Sequence, residues 1–298
     1  MSQMRKLAII ALGLLAILGV LVYALWMPLP HTPARDTIGA EKSIERGTRT
    51  YAYHVSGKGD PVILLASAGR EASDFNELVT ALNIAGYRTI AIDAHGIKNS
   101  TLPKGEFSLF DMADDVAAVA DAESNPDEKI SVVGHAFGNR LARAFTSRND
   151  ERIDKVVLIA SGGAKAIPEK ANTALRNIFD PRRTVGQRTS DIDYGFFAEG
   201  NAIPDFWIVG WHTQTAILQG KAKGTDVYDQ WGAGGTKPML VLQAAEDTIA
   251  PPQDAGIPLA QQYPDRVKLV VIPNAGHALL PEQPDVIAEE VIGFLSLD

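Results

Sequence analysis

The stretch from Ile130 to Arg140 constrains the chain more than any other. A short β-branched run, Ile130 to Val133, runs into two glycines four residues apart, Gly134 and Gly138. A helical pattern follows, with Phe137, Leu141, Ala144 and Phe145 on one face. A strand that turns at once into a helix brings two backbones close together, and glycine lets them approach with no Cβ between them. The middle residue of such a turn is carried above the end of the sheet. Here it is Ala136.

The flanking sequence supplies the sheet. Val62–Leu65, Thr89–Ile92, Lys155–Ala160, Met239–Leu242 and Val267–Ile272 are largely apolar runs, the mark of strands covered on both faces. Thr48–Val55 alternates weakly and precedes them. Helical spacings lie between the runs: Phe75, Leu78, Val79 and Leu82; then Leu109, Met112, Ala113 and Val116 behind a capping-box-like Ser108 and Asp111; and finally Val286 to Leu295. Repeated strand–helix units predict an α/β fold, a mostly parallel sheet with helices on both faces. The alternation stops over about 161–235, which reads as an inserted, partly helical cap. Three of the four tryptophans lie there, and Phe206, Trp207 and Trp211 are its candidates for lining a substrate pocket.

Residues 1–27 read as an address rather than as fold. Leu7 to Trp26 is uncharged over twenty residues behind Arg5 and Lys6, long enough to cross a bilayer as a helix. The positive flank places the N-terminus inside and the rest on the non-cytoplasmic side. The alternative is a cleaved signal peptide and a secreted protein. Residues 28–47 read as a linker, and residues 48–298 as the domain with its cap. The net charge of −8 argues against nucleic acid as a partner, and the absence of cysteine removes disulfides and thiolate chemistry.

Four strings at predicted strand ends carry a family resemblance. They are Asp93-Ala94-His95-Gly96 through Ser100, Gly134 to Gly138, Glu246-Asp247-Thr248-Ile249-Ala250-Pro251, and Ala275-Gly276-His277-Ala278 through Pro284. In this order they resemble the α/β-hydrolase fold family from about Thr48 to the C-terminus. The resemblance implies acyl-transfer chemistry: a nucleophile on the elbow turn, a histidine base, an orienting acid and an oxyanion hole.

On that pattern His277 is the base and Asp247 the acid, with Glu246 the competing acid. The oxyanion donors are the backbone N–H of Phe137 and one from the loop after Leu65, where Ser67 and Ala68 stand. The family commonly has His-Gly in that loop, and Ala66-Ser67 departs from it. The nucleophile position holds Ala136, whose methyl has no lone pair. Three readings follow. Hydrolysis of a small apolar ester, lactone or related carbonyl compound could proceed by a water on the His277–Asp247 pair, or by Ser67 as a displaced nucleophile. The site could bind a ligand without turnover. The pair could instead abstract a proton, as in a lyase or isomerase. His135 is read as packing below the sheet end, and His95 as a rim residue of the cleft. No histidine–carboxylate spacing resembles a metal site, and no Gly-x-Gly-x-x-Gly follows the first strand, so neither metal nor cofactor is expected.

Overall fold

The structure is a computed structural model and describes residues 34–163, 165–222 and 227–297, together with Gly13. The expected membrane segment over 7–26 lies, Gly13 apart, outside the described residues.

Eight strands form one sheet: β1 (Ala40–Arg46), β2 (Arg49–Gly57), β3 (Pro61–Leu65), β4 (Arg88–Ile92), β5 (Ile130–His135), β6 (Ile153–Ile159), β7 (Met239–Ala244) and β8 (Val267–Ile272). Their spatial order is β1-β2-β4-β3-β5-β6-β7-β8. β1 and β2 are antiparallel to their neighbours, and the remaining pairs are parallel. The whole of β3, β5 and β7 is buried, as continuous apolar runs require.

Helices cover both faces. α1 (Asn76–Ile84) and α10 (Pro284–Leu295) pack Leu78, Leu82, Ile287 and Val291 against Leu64, Val133 and Leu240. α2 (Leu109–Glu123), α3 (Phe137–Arg148) and α9 (Gly256–Gln262) cover the other face, with Val116, Phe145 and Leu259 against Ile63, Val132 and Val241. Each such side chain, fully buried, is worth about 1.5–3 kcal/mol. The Ser108–Asp111 capping box is formed at the start of α2.

The linker expected over 28–47 is not one throughout. Residues 40–46 form edge strand β1, in register from Ala40↔Val55 to Arg46↔Arg49. Ile44 packs on the core while Glu41 and Lys42 stay exposed, a charged edge that discourages further pairing. Upstream, Arg35 forks onto Glu77 with two contacts of 2.6 Å and donates to the Ser73 carbonyl.

Between β6 and β7 the described chain is helical. It holds α4 (Glu169–Ile178), α5 (Val185–Phe196), α6 (Asp205–Ile208), α7 (Thr213–Ala222) and α8 (Tyr228–Trp231). Most of these form a cap with its own core around Ile178, Ile192, Phe196, Trp207 and Trp211. The cap sits over the carboxyl ends of the parallel strands, where ligands bind in sheets of this kind.

Candidate active site

The turn between β5 and α3 is as tight as its glycines suggest. A Cβ on Gly134 would stand 2.3 Å from the Gly138 carbonyl oxygen, and one on Gly138 would stand 1.9 Å from that of Leu65. Ala136 is held at φ 50°, ψ −107°, a left-handed conformation costly for any residue with a side chain. Its carbonyl accepts from the Asn139 side chain, and Arg143 donates to Asn139 Oδ1 at 3.1 Å. The strain that presents a nucleophile is therefore in place beneath a methyl group.

His277 and Asp247 meet. Nδ1 of His277 donates to Asp247 Oδ2 at 2.8 Å, with both side chains buried. Asp247 Oδ1 accepts the N–H groups of Ile249 (2.9 Å) and Ala250 (2.7 Å), and Oδ2 also lies 3.3 Å from the Gln243 amide nitrogen. This leaves the lone pair on Nε2 of His277, the form a general base needs. The loop is pinned on both sides of the ring: Glu282 accepts the Gly276 N–H at 2.7 Å, and Ala278 donates to the Phe196 carbonyl at 2.8 Å. The ring meets Phe196 edge-on at 5.4 Å. Glu246 is exposed and accepts the Glu199 N–H at 3.4 Å, so the buried acid beside the histidine is Asp247.

His135 lies under this pair. Its Nε2 donates to the His277 carbonyl at 2.8 Å. Burial pulls its pKa down to about 3, and the nearby His277 adds to the drop, so the ring is neutral. His95 does not rim the cleft. It is buried against Asp115 at 2.8 Å and stacked on Tyr51 at 4.5 Å, because the carboxylate and the ring together satisfy an imidazole that the loop turns inward.

A cavity of about 710 Å³ lies between the cap and the sheet ends. Ser67, Ala68, Ala136, Phe137 and His277 all line it. The N–H groups of Ala68 and Phe137 donate to no acceptor among the described residues, whereas the next amide, Gly69, is taken by Gln219 Oε1 at 2.8 Å. Ser67 contributes its side of the wall and turns the loop through an Arg70 N–H to Ser67 carbonyl bond of 3.1 Å.

Trp207, Trp211 and Phe206 do not line the cavity. Trp207 is fully enclosed, and the two indoles pack around the buried Arg70 guanidinium at 4.4 and 4.6 Å. Phe206 lies under Arg35 at 3.8 Å. Arg70 forks onto Asp74 (2.8 and 2.6 Å) and donates to the carbonyls of Val209 and Phe206, tying the loop after β3 to the cap. A cation with its partners inside the cap draws the indoles to it, and Phe179, Phe196, Leu175 and Ile217 make the apolar wall instead. Sequence reasoning did not single out Arg70, Gln219, Gln243 or Arg140. The first three act through folded contacts alone, but Arg140 stands one helical turn beyond the elbow residue, on the same face, and that spacing was visible.

Among the described residues no group of three or more His, Asp or Glu side chains could hold a metal ion. The model of the alpha/beta hydrolase family matches residues 62–290. A protein of Variovorax paradoxus named "Putative carbamate hydrolase RutD" is 27% identical over 83% of this chain and 95% of its own length. The 2-hydroxy-6-oxo-6-(2'-aminophenyl)hexa-2,4-dienoic acid hydrolase of Metapseudomonas resinovorans is 24% identical over 86% of this chain and 91% of its own. Among solved structures, a meta-cleavage product hydrolase from Pseudomonas fluorescens, a Ser-to-Ala mutant complexed with acetates, superposes with a TM-score of 0.71 at 25% identity, covering 85% of this chain and 97% of that one. With this match over most of its length, and with the elbow and the histidine–acid pair on one cavity, the chain belongs to the alpha/beta hydrolase family.

Proposed function

We propose that this protein hydrolyses a small ester, lactone or related carbonyl compound, with His277 and Asp247 activating a water in place of a serine. The observation that carries the reading is the 2.8 Å bond from His277 to Asp247, on a ring that shares a cavity with Ala136. A site that only bound a ligand has no evident use for a buried carboxylate that two backbone N–H groups hold against one imidazole. In the proposed reaction Nε2 of His277 takes a proton from water as its oxygen attacks the carbonyl carbon. The N–H groups of Ala68 and Phe137 stabilise the oxyanion, and the imidazolium returns the proton to the leaving group. Asp247 holds the tautomer and stabilises the imidazolium. Without a nucleophile the rate is low: in serine enzymes its loss costs on the order of 10⁶ in kcat and leaves about 10³–10⁴ over water. Similarity to proteins named as carbamate and dienoic acid hydrolases supports cleavage at an acyl carbon.

The test is turnover of an ester, lactone and carbamate panel by wild type and His277→Ala. The wild type is expected about 10²–10⁴ above the variant, which keeps only what binding and the backbone donors supply. Equal, near-background rates across the panel reject the enzyme and leave a ligand-binding protein of the same fold. We further propose that residues 7–26 anchor the chain in a membrane with the domain on the non-cytoplasmic side. Release from washed membranes after deleting residues 1–27, and no release of the full chain, is the expected result.

A further inference from the structure

Arg140 has a position in this site that the hydrolytic reading does not use. It stands on α3 one turn after Ala136 and lines the same cavity. Its guanidinium rests against the Trp231 ring at 5.7 Å. Gly162, just beyond β6, leaves room for it, since a Cβ there would come within 2.8 Å of Nη2. Among the described residues it makes no ion pair and no hydrogen bond. The other charged groups on the wall differ. Lys165 is paired with Asp254 at 2.6 Å, and Arg182 with Asp180 at 2.8 Å. Arg176 is exposed and lies 3.3 Å from the Thr173 hydroxyl.

Burial pulls the Arg140 pKa down to about 10, and the Arg143 charge three residues on pushes the same way, yet the group stays protonated at neutral pH. Arg143 itself is fully buried and held by the carbonyls of Gly162 (2.6 Å) and Gly232 (3.0 Å) rather than by a carboxylate. Arg140 therefore lines a largely apolar cavity, with the buried Arg143 three residues on, in a chain whose overall charge is −8. A half-buried cation on the cavity wall that meets no counterion among the described residues is free to take an anion supplied from outside.

We infer that Arg140 is an anion subsite of the cavity, so that its ligand is an acyl compound with an apolar body and a carboxylate. The inference rests on the hydrolase reading for the acyl group but not for the carboxylate. A guanidinium presents parallel N–H groups that fit a carboxylate as a fork, and in an apolar cavity such charge-assisted bonds are strong. The Ala136 to Arg140 spacing, one helical turn, sets the carboxylate a few bonds from the carbonyl under attack.

The test reads binding rather than turnover, so it can fail independently of the chemistry. 5-Phenylpentanoate and the neutral 5-phenylpentanamide are titrated into the full chain by calorimetry. Wild type is expected to bind the carboxylate at least about tenfold more tightly, Arg140→Gln to lose that preference, and Arg140→Lys to keep part of it. Circular dichroism confirms that each variant is folded. Equal affinities in wild type, no binding of either probe, or an unchanged preference in folded Arg140→Gln would overturn the inference. The His277→Ala comparison decides the hydrolase reading separately.

Discussion

The acid–base arm and the elbow arm both reach one cavity, and they differ in what they keep. In the acid–base arm, Asp247 accepts from two backbone N–H groups and the imidazole, and the His277 loop is tied down on either side. In the elbow arm the backbone is equally constrained, with Ala136 at φ 50° between two glycines that admit no Cβ, but the side chain it presents is inert. The turn is thus a property of its glycines and neighbours, while attack requires one oxygen that the turn does not hold. A strained backbone costs of order 1–3 kcal/mol wherever it occurs, so its presence beneath a methyl marks a site whose architecture outlasts its usual chemistry.

Restoring the oxygen should give the largest change. Ala136→Ser is expected to raise kcat/KM on the best ester by at least about 10³, because base, acid and backbone donors are already in place. An unchanged rate would mean that the two arms are not in register. Weakening the intact arm comes next: Asp247→Asn should remove up to about 10²–10⁴, the factor a general base supplies, through loss of the correct His277 tautomer, seen in kcat rather than KM. A third test acts on the elbow backbone. Gly138→Ala places a Cβ 1.9 Å from the Leu65 carbonyl and should cost about 3 kcal/mol, measured by the denaturant midpoint. The smallest effect concerns the histidine between the arms. His135 has a folded pKa of about 3 against an ordinary value of 6.5. Below 6.5 the unfolded chain takes the proton and the folded one refuses it. The contribution of His135 to stability is therefore fully present above pH 6.5 and is lost at about 1.4 kcal/mol per pH unit as the pH falls toward 3. His135→Gln should flatten that slope in denaturation curves between pH 6.5 and 5.

The elbow, His277 and Asp247 were legible in the sequence because each sits in a short string just beyond a strand of the parallel sheet, where local spacing and tertiary position coincide. The sheet was legible for the same reason, through runs such as Val62–Leu65 that only a covered strand tolerates. β1 was not, because Glu41, Lys42 and Ser43 are an exposed, polar edge whose pairing with β2 no local apolar pattern announces. Nor was the pocket wall. Trp207 and Trp211 look like ligand-facing aromatics until Arg70, more than a hundred residues earlier, is found packed against both. Which face of an inserted helix turns inward depends on partners that no window of sequence contains.

The central claim is that proton transfer at His277 drives hydrolysis here without a covalent intermediate. Intact-protein mass spectrometry of the wild type, quenched during turnover of an ester beside a His277→Ala control, tests it most directly. Product that depends on His277, formed by protein of unmodified mass, is the predicted result. An acylated wild type, with Ser67 the first residue to inspect, or product formation indifferent to His277→Ala, would contradict it.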